Sequence, residues 1–232
     1  MSHHINLVRI KGVYNALGEL KDTVVFVGGA TVSLYADRPG QTDVRPTDDI
    51  DVLIEIGTYG GYVKVQEKLA ELGFALDPES KVTCRYKYQG LTVDIMPTDE
   101  AVLGFSNRWY KDGFANIVSY RIDERTTVNI FSSPYFIASK LEAFKGRGVN
   151  DGRTSQDFED IVFVLDNRKT IWEEMNSAKE ELKIYLKEEW GKLLKNPHLE
   201  EWLSGHLEYG TAAARTRLII ASMNEFVIID KK

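Results

Sequence analysis

The chain has 232 residues, 43% of them apolar, which is enough to bury a core in one large domain or two small ones and excludes a disordered polymer. Its 29 lysines and arginines against 35 aspartates and glutamates leave a net charge of -6, which excludes a general attraction to nucleic acid or anionic membrane, so any nucleic-acid contact must be local. A single cysteine, Cys84, and four scattered histidines exclude an intramolecular disulfide and a cysteine-based zinc site, and without a secretory signal or a run of ~20 apolar residues the expected setting is cytoplasmic, with no membrane partner.

Residues 5–20 space Ile5, Val8, Val13, Leu17 and Leu20 near helical period and predict a helix despite Gly12 and Gly18. TVVFVGG follows, where Val24 to Val27 are apolar on both faces, as in a strand covered on each side, and Gly28 and Gly29 end it. A short helix is expected from Ala30 to Ala36, with Val32 and Tyr35 inward. ADRPGQTDVRPT then reads as a surface loop. DDIDVLIEI alternates, placing Ile50, Val52, Ile54 and Ile56 on one face and Asp49, Asp51, Leu53 and Glu55 on the other, the period-2 mark of a strand. A helix is expected over about 61–72. VTCRYKYQ and LTVDIMP form a hairpin around Gly90, with Thr92, Asp94 and Met96 on one face. Two more strands are expected near 114–122 and 126–131.

The pattern changes at residues 131–134. From Pro134 onward it is helical: PYFIASKLEAFKG, SQDFEDIVFVLDN, a long charged run over about 170–194, a short piece near 198–207, and TAAARTRLIIASMNEFV. The expected architecture is α+β, with an α/β domain at residues 1–132 and a helical domain at 133–232.

The chemistry-bearing residues cluster in the first domain. A Gly-Gly after a strand lets backbone pass close to a ligand, and the helix behind it offers N–H groups to an anion such as a triphosphate; the bland reading is a tight turn. Asp49 and Asp51 project together from one strand face, and their repulsion is most simply offset by a divalent cation, magnesium being the natural candidate; the bland reading is two solvated carboxylates at a sheet edge. Asp94 stands in another apolar strand, where an unpaired carboxylate is costly. It joins Asp49 and Asp51 if the strands are neighbours, or pairs with Arg85 or Lys87 across the hairpin. Three carboxylates around two metal ions suit an in-line nucleotidyl displacement.

VFVGGATVSLYAD followed by DDIDVLIEI resembles the polymerase-beta-type nucleotidyltransferase superfamily, with Gly28 and Gly29 at the glycine pair and Asp49, Asp51 and Asp94 at the three carboxylate positions. The interval between Gly29 and Asp49 is longer than that pattern, so the loop at 37–47 reads as an insertion. PYFIASKLEAFKGRGVNDGRTSQDFEDIVFVL is similar to the helical region of AbiEii-type (MenT-like) nucleotidyltransferases, where a lysine and an Asp-x-x-Asp helix complete the nucleotide site; Lys140, Asp157 and Asp160 match. The resemblance spans roughly residues 22–165. It implies an N-terminal nucleotidyltransferase domain with a mixed sheet, two Mg2+ ions on Asp49, Asp51 and Asp94, and an NTP held by Gly28, Gly29, Thr31 and Lys140, with Asp157 completing the catalytic set. It also implies an acceptor that is a tRNA 3' end, and hence a toxin of a toxin-antitoxin pair with a cognate antitoxin protein. Antibiotic nucleotidyltransferases with small-molecule acceptors share the glycine and Asp-x-Asp region, and a non-catalytic nucleotide-binding regulator is the remaining alternative.

The helical half allows independent readings. Lys140 falls within the apolar stripe of Ile137, Leu141 and Phe144, so it meets an anion there or snorkels to water. Thr154 and Asp157 have the spacing of an N-cap pair, and Asp160 reads as a solvated partner of Lys140 or Arg147. Arg147 and Arg153 border the same loop, within reach of phosphate or RNA backbone or simply exposed.

Overall fold

The computed structural model describes residues 2–104, 106–147 and 151–228. The chain divides into two compact units, residues 1–34 with 39–132 and residues 35–38 with 133–232. The fold is α+β, with helices in both units and one seven-stranded mixed sheet in the first. Among the described residues no helix is long and apolar enough to cross a membrane.

In the first unit, α1 (Ser2–Ala16) leads through a 3-10 segment at Gly18–Thr23 into β1 (Val24–Val27), all four of whose residues are buried. The inward face of α1 is Asn6, Ile10 and Val13, continued by Leu17, whereas Ile5 and Val8 are exposed. Of the sequence stripe Val13 and Leu17 are inward and Ile5 and Val8 are not, because the inward position near the start of the helix is polar: Asn6 is fully buried and accepts a hydrogen bond from Thr47 Oγ1. Beyond the Gly28–Gly29 bend the expected short helix is a buried 3-10 helix, Gly29–Tyr35.

Next come β2 (Asp49–Ile54), α2 (Tyr59–Glu71), β3 (Ala75–Leu76), β4 (Arg85–Tyr88) and β5 (Leu91–Pro97). Thr58 starts α2 by accepting from Gly61 N through its side chain. Two short helices not foreseen in the sequence, α3 (Glu100–Leu103) and α4 (Tyr110–Phe114), precede β6 (Ile117–Arg121) and β7 (Thr127–Phe131). Asp99 caps α3 and Gly104 ends it in the left-handed region, cues carried by single residues within a four-residue element too short to show a period.

The strand order is β3-β4-β5-β2-β1-β7-β6. β2 runs antiparallel to β1 and parallel to β5, and β7 runs parallel to β1. The β4–β5 hairpin turns at Gln89 (φ 46°) and Gly90 (φ 82°), two consecutive left-handed residues that match the twist of the flanking strands. Tyr88 therefore faces Leu91, and three steps back along each strand Arg85 faces Asp94.

The helical unit holds α5 (Ser133–Gly146), α6 (Gln156–Asn167), α7 (Ile171–Asn176), α8 (Glu180–Leu193), α9 (Leu199–Gly205) and α10 (Ala212–Ile228). Phe144, Phe158 and Trp202 pack their rings with centroids 5.3 to 6.0 Å apart at the heart of one end, over Gly152, where a Cβ would stand 2.6 Å from the Trp202 ring. The run expected as one helix over 170–194 is two, broken at Ser177–Lys179. The segment Tyr35–Arg38 belongs to this unit: Tyr35 lies 4.3 Å from the Phe136 ring, Asp37 N donates to Asn167 O, and Arg168 Nη1 donates to Tyr35 O. Arg168 is fixed in turn by Glu174, whose carboxylate also accepts from the hydroxyls of Ser133 and Thr170.

Candidate active site

Parallel pairing sets Asp51 of β2 opposite Asp94 of β5, and antiparallel pairing sets Asp94 opposite Arg85 of β4. Paired residues on adjacent strands project from the same face, so Asp51, Asp94 and Arg85 form a row across three strands. Asp49, two residues before Asp51, shares that face. Arg85 threads the carboxylates: its Nη2 donates to Asp49 Oδ2 at 2.9 Å and to Asp94 Oδ2 at 2.7 Å, and its Nε donates to Asp94 Oδ1 at 2.8 Å. The Asp94 side chain is 9% exposed, Arg85 26% and Asp49 37%, so the cluster is sealed at one end and open to water at the other. Hydrogen bonding to Asp94, aided by the charges of Asp94, Asp49 and Asp51 and opposed by burial, raises the guanidinium pKa further above its ordinary value. Behind the row, burial and the charge of Asp94 push the Cys84 thiol up to about 12, so it stays protonated and inert at neutral pH.

The bend at Gly28–Gly29 completes one side. Val27 pairs with Asp51, so the chain turns immediately beside that carboxylate. Gly28 has φ +73°, and a Cβ there would lie 1.8 Å from Asp51 Oδ2 and 2.7 Å from its Cγ; backbone conformation and space both require glycine. A Cβ on Gly29 would stand 2.6 Å from Arg45 Nη2, which places a second guanidinium over the bend. Thr31 is fully buried and its hydroxyl donates to Gly28 O at 2.9 Å, so in this conformation it braces the bend instead of facing a ligand.

Among the described residues no group of three or more His, Cys, Asp or Glu side chains is assembled to hold a metal ion. The donor set nonetheless fits a hard divalent cation: carboxylate oxygens from two adjacent strands converge on one face, the place a cation would take is filled by the Arg85 guanidinium, and Gly28 keeps the space beside Asp51 clear. Of the two readings of Asp94, convergence with the Asp-x-Asp strand and pairing with Arg85, both geometries occur together. Lys87 instead donates to Thr92 and pairs with Asp77.

In the helical unit, Lys140 Nζ lies 2.6 Å from Asp160 Oδ2 and 3.1 Å from Asp157 Oδ1, with side-chain exposures of 8%, 2% and 3%. Burial alone would lower the lysine pKa, but the two carboxylates reverse this and raise it. Arg147 reaches Asp157 Oδ2 at 3.2 Å from the surface. The α6 cap is Ser155, which accepts from Phe158 N, so Asp157 is released from the expected capping role and turns to Lys140. Asp160, expected to be solvated, is the most buried member and makes the shortest contact. The expected contact of Lys140 with triphosphate rests on the resemblance alone.

Two residues of the site were undervalued in the sequence. Arg85 entered only as a competitor for Asp94, although the Gln89–Gly90 turn already fixes it opposite that residue. Arg45 sits in an unpatterned loop and carried no signal of its approach to Gly29. No protein-family model matches the chain, and no curated protein matches it in sequence.

Proposed function

We propose that this chain is a magnesium-dependent nucleotidyltransferase that moves NMP from an NTP to an acceptor hydroxyl and releases pyrophosphate. The observation that supports this reading is the register of β2 against β5, which sets Asp51 beside Asp94 with Asp49 on the same face, next to a bend where Gly28 tolerates no side chain. Asp49, Asp51 and Asp94 would hold the divalent ions, which when bound stabilise charge on the attacking and leaving oxygens. Asp94, the more buried of the two carboxylates on Arg85, would accept the proton of the acceptor hydroxyl once freed of the guanidinium, as the acceptor oxygen bonds to the α-phosphorus and the α–β bridging oxygen departs with pyrophosphate. Gly28 leaves backbone beside the transferred group, and Arg45 adds positive charge at the bend.

The acceptor follows from the resemblance: a tRNA 3' end, making the protein a growth-inhibiting toxin restrained by an antitoxin, or a small molecule of the aminoglycoside or lincosamide kind. The net charge of -6 provides no overall pull on RNA, so a tRNA acceptor would need a local basic surface. Incubation with each α-labelled NTP, and separately with total tRNA, aminoglycosides and lincosamides, identifies the pool that takes up label. Asp51→Asn should abolish transfer in every pool while leaving the melting temperature close to wild type; retained turnover refutes the assignment. The guanidinium already held between Asp49 and Asp94 favours one second reading, a nucleotide-binding regulator without turnover, which predicts NTP binding with no pyrophosphate released.

A further inference from the structure

Resting on the metal-site reading above, we propose that Arg85 is the internal counter-cation of this site and that divalent-ion binding and release of its guanidinium are a single coupled exchange. Both oxygens of Asp94 and one of Asp49 are engaged by Arg85, at 2.7 to 2.9 Å. Those oxygens are the ones a hard cation must take, and a divalent ion and a guanidinium cannot share them without strong like-charge repulsion. Without any cation, two carboxylates held on adjacent strands beside Asp51 would repel one another, so the ion-free state needs the arginine.

The position of Arg85 suits an exchange more than a fixed pin. It is the first residue of a four-residue strand, and its side chain remains 26% exposed, so the head group has a route to water. Of its partners, Asp49 is the more exposed at 37%. An arginine acting only as a structural tie would strengthen the site, and its removal would leave cation affinity unchanged or reduced. An arginine acting as a competitor has the opposite sign.

The test is Mn2+ titration of the full chain without nucleotide, followed by the electron-paramagnetic signal of the free ion, together with melting temperatures in EDTA and in Mn2+. Arg85→Gln should bind Mn2+ on the order of tenfold more tightly than wild type, the ratio expected when about 1.4 kcal/mol of competing interaction is removed. The same variant should melt below wild type in EDTA and recover in Mn2+, and adding Asp51→Asn to it should abolish the gain. Equal or weaker Mn2+ binding by Arg85→Gln, with wild type showing Asp51-dependent binding, overturns the exchange and leaves the metal site standing. Failure of both proteins to bind Mn2+ overturns the exchange and the metal site together. If Arg85→Gln does not fold, Arg85→Lys decides: it keeps the charge but loses the two-pronged hold on both oxygens of Asp94, so tighter binding than wild type supports the exchange and equal binding overturns it.

Discussion

The two units each set a pair of carboxylates around a central cation, and they do so in opposite environments. In the sheet, Asp49, Asp94 and Arg85 keep 37%, 9% and 26% of their side-chain surfaces in solvent, whereas in the helical unit Lys140, Asp157 and Asp160 keep 8%, 3% and 2%. A sealed cluster cannot lose its cation without stranding charge in a medium that solvates it poorly, so the lysine triad is a fixed joint between α5 and α6. A cluster open at one end can trade its cation for another, because water stabilises the intermediate state. Exposure, more than charge count, separates an ion pair that holds a fold from one able to give way to a ligand.

Removing the sealed cation should produce the largest change in stability. Lys140→Met removes the buried cation between Asp157 and Asp160, leaves only the surface Arg147 beside Asp157, and should cost about 3–5 kcal/mol, measured by urea denaturation. Adding Asp157→Asn and Asp160→Asn should recover most of that loss, and an undiminished deficit in the triple variant would show that lysine packing, not charge balance, matters there. Because the folded Lys140 pKa is raised above 10.5, this contribution is fully present below that value and is lost only as pH rises through the folded pKa, so it persists unchanged through neutral pH.

Gly28→Ala comes next. A side chain at φ +73° costs about 1–2 kcal/mol from backbone conformation alone, and the Cβ at 1.8 Å from Asp51 Oδ2 must also push that carboxylate aside. The variant should lose nucleotidyl transfer out of proportion to its stability, and Gly29→Ala should press on Arg45 instead. Wild-type turnover in Gly28→Ala would break the link between the bend and Asp51.

The smallest effect lies at Glu174. Burial favours its neutral form, but hydrogen bonds from Arg168, Ser133 and Thr170 outweigh that and hold its carboxyl below the ordinary 4.5. Its stabilisation is therefore present above that value and lost as pH falls through the lower folded pKa. Glu174→Gln should show a shallower loss of stability than wild type between about pH 5 and pH 3. Parallel acid limbs for the two proteins would contradict the assignment.

Where a single strand or turn contains its own signal, the sequence was readable. The alternation of Asp49 to Ile54 forecast β2 and put both aspartates on one face, and the all-apolar Val24–Val27 forecast a strand between two others. What escaped depends on partners distant in the chain. The parallel join of β2 to β5 is a pairing across 43 positions that no local period encodes, and α1 presents Asn6 inward only because Thr47 waits there. Asp160 was legible as a partner of Lys140 but looked solvated, because no local period shows how far that face of α6 is covered. The break after α7 falls at Ser177–Lys179, where two weak helix formers, Asn176 at the end of α7 and Ser177 beyond it, interrupt a run whose charged, amphipathic pattern suggested continuity.

Crystals grown with Mn2+ and a non-hydrolysable NTP, with anomalous scattering recorded at the manganese edge, test the carboxylate face most directly. The predicted result is manganese density in contact with Asp49, Asp51 and Asp94, with the Arg85 guanidinium withdrawn from both Asp49 and Asp94. Nucleotide bound elsewhere, with no manganese on that face and Arg85 still bridging the two carboxylates, would contradict it.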